Sequence, residues 1–172
     1  MNVGTMTGKG RELVDLMERR KLGVLCVQET RWKGNKAREL GEGCKLFYSG
    51  ANVQGRNGVG IILSKDLKDS LVGVNRRNDR VMSIKLGLGE TIVNVICAYA
   101  PQVGCADEEK DAFWEVMDQE LRATPERESN FGWRPKWPFG KQQGSDREGA
   151  WGMGVRGEKR GGREGDRLCD GF

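Results

Sequence analysis

The chain of 172 residues contains no histidine. Imidazole is thereby excluded as general base, proton shuttle or zinc ligand within it. None of the five cysteines (Cys26, Cys44, Cys97, Cys105, Cys169) forms a Cys-x-x-Cys pair. That excludes a zinc ribbon and a thioredoxin-type redox motif. Cys26 and Cys97 lie inside apolar runs and read as small buried hydrophobes, and the widely spaced, odd-numbered set suits a reducing compartment. No stretch approaches the ~20 apolar residues of a membrane span, and residues 1–10 lack the apolar core of a signal peptide. The expected location is nuclear or cytoplasmic, not secreted, with no membrane partner. The net charge of +4 is too small to announce a nucleic-acid partner by itself.

What is present alternates between helical and strand-like patterns. Residues 10–20 place Leu13, Leu16 and Met17 on one helical face. Arg19, Arg20 and Lys21 favour its negative end, and Gly23 is expected to break it. The apolar run 22–28 reads as a buried strand and 45–49 as a shorter one. Asn57-Gly58 is a turn signal before the β-branched run 58–63. Residues 80–86 alternate, with Val81, Ser83 and Lys85 against Met82, Ile84 and Leu86, as a half-buried strand does. Residues 91–99 form the strongest strand pattern. The last three strands are expected to be successive antiparallel members of one sheet. Residues 107–122 read as a helix with Phe113, Met117 and Leu121 as its apolar stripe and Asp107, Glu108 and Glu109 at its N-terminus.

Beyond residue 123 the composition changes. Eleven of the 42 residues from Phe131 to Phe172 are glycine, and three of the five tryptophans lie there among scattered Arg and Glu. With almost no aliphatic residues, the segment cannot offset its ordering entropy. Residues 124–172 are therefore read as a disordered Gly/Arg-rich tail.

The first good strand ends in Val27-Gln28-Glu29-Thr30-Arg31-Trp32. An acid delivered at the C-terminal end of a strand stands where open α/β sheets place their chemistry, and a carboxylate suits a hard divalent cation. Two further pieces line up with it: Asn2-Val3 at the start, and Tyr99-Ala100-Pro101 at the end of the last strand. Taken singly, Glu29 reads as a solvated loop acid, Tyr99 as a half-buried strand aromatic and Asn2 as a frayed terminal residue. Arg76, Arg77 and Arg80 read as a charged turn before they read as phosphate contacts.

In the order N-V, Q-E-T-R-W, R-N-G-V-G-I-I-L, D-R-V-M and N-V-I-C-A-Y-A-P, the sequence resembles the endonuclease/exonuclease/phosphatase superfamily over residues 2–123. The likeness is strongest to the endonuclease domain of LINE-type retroelements and to the host proteins of the craniofacial development protein 2 type. The resemblance implies a DNase I-like four-layer α/β sandwich and Mg2+-dependent phosphodiester cleavage, with DNA as partner. It implies Glu29 as the metal ligand, with Asn2 and Tyr99 as catalytic residues around the phosphate. The family's later Gly-Asp-x-Asn motif and its histidine motif have no counterpart in this sequence.

Three expectations follow from these departures. Residues 1–123 would be the N-terminal half of the sandwich, with the facing sheet missing. Loss of the water-activating carboxylate and the imidazole would leave the chain inactive as a nuclease. The composition break is the pattern that a frameshift or misjoined exon leaves, so the tail would be out-of-frame translation. The alternatives from other classes are a non-catalytic fragment that binds nucleic acid or a protein through an exposed half-sheet, and a functionless, aggregation-prone retroelement relic.

Overall fold

The computed structural model describes residues 1–123. Helix α1 (Gly10–Arg20) is followed by strands β1 (Val24–Gln28), β2 (Lys36–Gly41), β3 (Cys44–Ser49) and β4 (Val59–Leu63). A one-turn helix α2 (Lys65–Lys68) leads to β5 (Leu71–Arg76), β6 (Val81–Leu88) and β7 (Thr91–Ala98), and α3 (Asp107–Arg122) closes the described chain. Two antiparallel sheets result, one in the order β1-β4-β3-β2 and the other β5-β6-β7. Residue 2 adds a parallel bridge to Gln28 on the outer side of β1.

The period-two alternation of the strands explains the layering. In β4, Ile62 packs with Leu13, Val14 and Met17 of α1, while Val59, Ile61 and Leu63 face the other way. Those three meet Met82, Ile84 and Leu86 of β6 and Cys97 of β7. The opposite face of β6 and β7 is covered by α3, where Val81 packs against Phe113 and Met117. The order of layers is thus helix, sheet, sheet, helix.

This corrects the expectation of a missing second sheet: the described residues build part of both sheets, and the face between them is closed. It also corrects the strand grouping, because β4 is a central strand of the first sheet, between β1 and β3, and does not pair with β6. Strand β6 is buried on both faces rather than half-buried, since α3 lies over Val81 and Ser83.

Two strands carry little pattern in the sequence. Strand β2 is an exposed edge strand without apolar alternation, held by its pairing with β3. In β5 a register shift between Leu71 and Gly73 places Leu71 and Val74, three residues apart, in the same inter-sheet core. On α3, Leu121 is 36% exposed and Glu120 takes the last inward position, accepting hydrogen bonds from Ser83, Asn75 and Arg77. Helix α1 ends two residues before Gly23, at a left-handed Lys21 whose N–H returns to the carbonyl of Glu18. Gly23 answers a different constraint: a Cβ there would lie 2.6 Å from Cδ1 of Leu67. The tail, residues 124–172, lies outside the described residues.

Gly60 in β4 is closely surrounded, since a Cβ there would lie 2.8 Å from Leu46 Cδ1 and 3.1 Å from Val27 Cγ2. Gly60→Val is expected to destabilise the fold by about 1–3 kcal/mol in chemical denaturation, through overpacking. Gly73→Ala, with nothing within 4 Å of its Cβ, is the matched change expected to cost little; equal losses in both would contradict the packing described.

Candidate functional site at the end of the first strand

Strands β1 and β7 belong to different sheets but run alongside each other at their C-terminal ends. Cys97 Sγ donates to the Val27 carbonyl at 3.4 Å, Gln28 Nε2 to the Ala98 carbonyl at 2.8 Å, and the Tyr99 hydroxyl to Glu29 Oε1 at 2.7 Å. Partner numbers rise together along both strands, so each chain leaves its sheet at the same end.

At that end Glu29 adopts a left-handed backbone (φ 59°), as does Arg31 (φ 54°). Such conformations cost roughly 1–2 kcal/mol each for residues other than glycine. The backbone of Thr30 between them offsets that cost. Its N–H donates to the Gly58 carbonyl at 3.0 Å, its carbonyl accepts from Met6 N at 3.0 Å, and Arg31 N donates to the Asn57 carbonyl at 3.1 Å. The turn therefore aims Glu29 out of the sheet plane and toward β7.

Three separate segments supply the partners of its carboxylate. Oε1 accepts from Asn2 Nδ2 at 2.6 Å and from the Tyr99 hydroxyl, and Oε2 accepts from Arg31 Nη2 at 3.0 Å. Asn2 is itself fixed, since its Oδ1 accepts from Gly4 N at 2.9 Å. The structure thus brings Asn2, Glu29 and Tyr99, which lie up to 97 positions apart in the sequence, into direct contact. Tyr99 is held in turn by Arg80, whose guanidinium carbon lies 5.3 Å from the ring centroid and which also pairs with Glu109.

Arg31 had no assigned role in the sequence, and Arg80 was grouped with Arg76 and Arg77 as a charged turn. The one signal was the position of Arg31 two residues after Glu29. Arg76 donates to the carbonyls of Tyr48 and Lys36, and Arg77 pairs with Glu120, so this arginine group is engaged internally.

The electrostatics follow from these contacts. Hydrogen bonds from Tyr99 and Asn2, with the charge of Arg31, hold the Glu29 carboxyl below the usual glutamate range. Burial and the adjacent carboxylate push the Tyr99 phenol up. Glu29 is therefore an anion and Tyr99 a neutral donor at neutral pH, and neither is a base. Thr30 is fully buried, and its hydroxyl has no hydrogen-bond partner among the described residues.

The donor set fits a hard cation in one respect. Glu29 Oε2 and Asn2 Oδ1 are oxygen atoms of the kind Mg2+ takes, since that ion typically binds one or two carboxylates while keeping several waters; Asn2 Oδ1 already accepts from Gly4 N. Arg31 sits on the same Oε2 and competes for it. No group of three or more acidic or cysteine side chains suited to a metal occurs among the described residues.

The solved structures similar to this one include the endonuclease domain of TRAS1, a telomere-specific non-LTR retrotransposon (TM-score 0.53, 15% identity). That match covers 73% of this chain and 53% of that one. The AP endonuclease LMAP from Leishmania major matches with TM-score 0.52 and 17% identity over 71% of this chain and 45% of its own. The fold is part of a DNase I-like endonuclease fold.

In sequence, craniofacial development protein 2 of Bos taurus is 30% identical over 91% of this chain, and that of Tragulus javanicus is 29% identical over 98%. The chain is a distant homologue of craniofacial development protein 2. It spans 27% and 29% of the length of these curated relatives. The Tragulus alignment leaves out 2% of the chain, so it continues into the glycine-rich segment that composition sets apart. No protein-family model matches the chain.

Two outcomes are expected from this geometry. A glutamate whose folded pKa is depressed contributes stability above its unfolded pKa of about 4.3, and that contribution is lost as pH falls through the lower folded value. Glu29→Gln should therefore flatten the acid side of a plot of unfolding free energy against pH; an unchanged acid limb would refute the paired carboxylate. Thr30→Val, which removes an unpartnered hydroxyl at nearly constant volume, should be neutral or stabilising by up to ~1 kcal/mol. A clear loss of stability would mean that the hydroxyl is used.

Proposed function

We propose that the chain descends from metal-dependent phosphodiester hydrolases, with DNA as the ancestral substrate, and that in this sequence the site binds a phosphodiester without cleaving it. The observation that supports this most is the meeting of Asn2, Glu29 and Tyr99, from three distant segments, at one strand end.

In this reading Glu29, aided by Asn2 Oδ1, holds Mg2+, which when bound neutralises charge on a phosphate. Tyr99, kept protonated, would turn its single O–H from Glu29 Oε1 to a non-bridging oxygen of a bound phosphate, and Asn2 orients the carboxylate. Asn2 and Tyr99 fill the roles that the family resemblance assigns to catalytic residues. Activation of an attacking water is the missing function. It needs a base near neutral pH, whereas the sequence holds no histidine and Glu29 is a weakly basic anion.

Supercoiled plasmid incubated with the protein and Mg2+ is expected to remain uncut. Nicking that requires Mg2+ and disappears in Glu29→Gln would overturn the non-cleaving assignment. Metal binding is read separately, as the rise in Tm on adding Mg2+. Arg31→Ala should enlarge that rise by freeing Oε2, and Glu29→Gln should abolish it; equal shifts in all three proteins would exclude Glu29 as ligand.

A further inference from the structure

Residues 31–38, Arg-Trp-Lys-Gly-Asn-Lys-Ala-Arg, contain four cationic residues and no acid. They run from the Glu29 turn into the edge strand β2 and border a cleft of about 310 Å3 lined by Arg31, Trp32, Lys33, Lys36, Arg38 and Tyr48. We propose that this cleft binds the sugar–phosphate backbone and a stacked base of single-stranded nucleic acid and leads the strand toward Glu29. The inference rests on the phosphodiester reading of the Glu29 site and adds to it the form of the substrate and its path.

Three observations converge. Register puts the cleft and the acid at the same end of the first sheet: Lys36 pairs with Tyr48, Tyr48 with Gly60, and Gly60 with Val27, two residues before Glu29. Charge is sorted by face along β2, since Lys36 and Arg38 line the cleft while Glu39, of opposite parity, approaches Lys45 at 3.7 Å. An edge strand that used lysine only to discourage pairing would have no need of that segregation.

The aromatic part is fixed in place. Trp32 Nε1 donates to the Thr7 hydroxyl at 3.2 Å, its ring meets Tyr48 edge-on at 5.4 Å between centroids, and the guanidinium carbon of Arg38 lies 4.6 Å from the Trp32 ring centroid. A held guanidinium plane beside an indole is a platform for an unpaired base, and the flanking cations track phosphates. This is the combination that selects single strands over duplex. Arg31 joins the two sites, because the side chain that borders the cleft also pairs with Glu29.

The test is fluorescence anisotropy of the full chain with short labelled deoxy- and ribo-oligonucleotides, single-stranded and duplex, in EDTA across a salt series. The wild type is expected to prefer single strands. Lys36→Gln/Arg38→Gln should lower the steepness of log affinity against log salt by about 0.7, the share of Lys36 as one phosphate contact on a single strand, and should weaken binding at every salt concentration through loss of the Arg38 platform. Lys65→Gln/Lys68→Gln, a charge-matched change on α2 at the far end of β4, should leave it unaltered. Thermal unfolding of each variant checks that it is folded.

No binding by the wild type, equal slopes in wild type and the cleft variant, or equal affinity for duplex would each overturn the proposal. Unaltered binding combined with new aggregation of the cleft variant would do so as well, and would assign the cations to edge protection. These outcomes leave the Mg2+ response of Glu29 untouched. Loss of that response with the cleft slope intact would instead overturn the metal-site reading alone.

Discussion

The apolar face between the two sheets is the constraint on which the rest depends. Val59, Ile61 and Leu63 from one side and Met82, Ile84 and Leu86 from the other are essentially removed from solvent, and each such burial is worth roughly 1.5–3 kcal/mol. Their packing fixes β1 against β7. Only with those strands aligned does the step from residue 27 to residue 29 run beside the step from 97 to 99. The polar site is the continuation of that alignment past the edge of the core. A hydrogen bond between Glu29 and Tyr99 is therefore a consequence of sheet packing as much as a functional feature.

The turn at Glu29 carries the opposite kind of energy. Two non-glycine residues in the left-handed region are held by three backbone hydrogen bonds around Thr30, and a buried hydroxyl without a partner adds to the cost. Strain concentrated at one point, and supported by a well-packed surround, is characteristic of positions that present a group rather than stabilise a fold. Here the presented group is a carboxylate whose partners all stabilise its charged form. That makes the carboxylate suited to holding a cation and unsuited to taking protons.

Much of the fold was legible because the buried strands declare themselves. The pattern gave both long helices, β4, β6, β7 and most of β1 and β3, since strands with strongly apolar inward positions leave a period in the sequence. Strand β2 left none because an edge strand needs only backbone pairing, and the bulge in β5 shifts the alternation by one residue. The pairing of β4 was also hidden: the pattern of an antiparallel strand reads the same whichever sheet it joins. The second sheet escaped notice for the related reason that β6 and β7, though well patterned, do not announce which layer they form, and β5 left little pattern.

The candidate site was legible only as three unconnected fragments, and it took the fold to bring Asn2, Glu29 and Tyr99 into contact. The role of Arg31 was not legible, because its competition for Oε2 depends on a backbone conformation that β-strand patterning does not suggest.

The coupling between Glu29 and Tyr99 is the most direct measure of whether the site is the polar closure of the two sheets. A double-mutant cycle with Glu29→Gln, Tyr99→Phe and the pair, followed by urea denaturation at neutral pH, isolates it. A hydrogen bond to a charged group of this kind should give an interaction energy of about 1–3 kcal/mol, so that the double variant is less destabilised than the sum of the singles. Additive single effects, with an interaction energy near zero, would contradict the account.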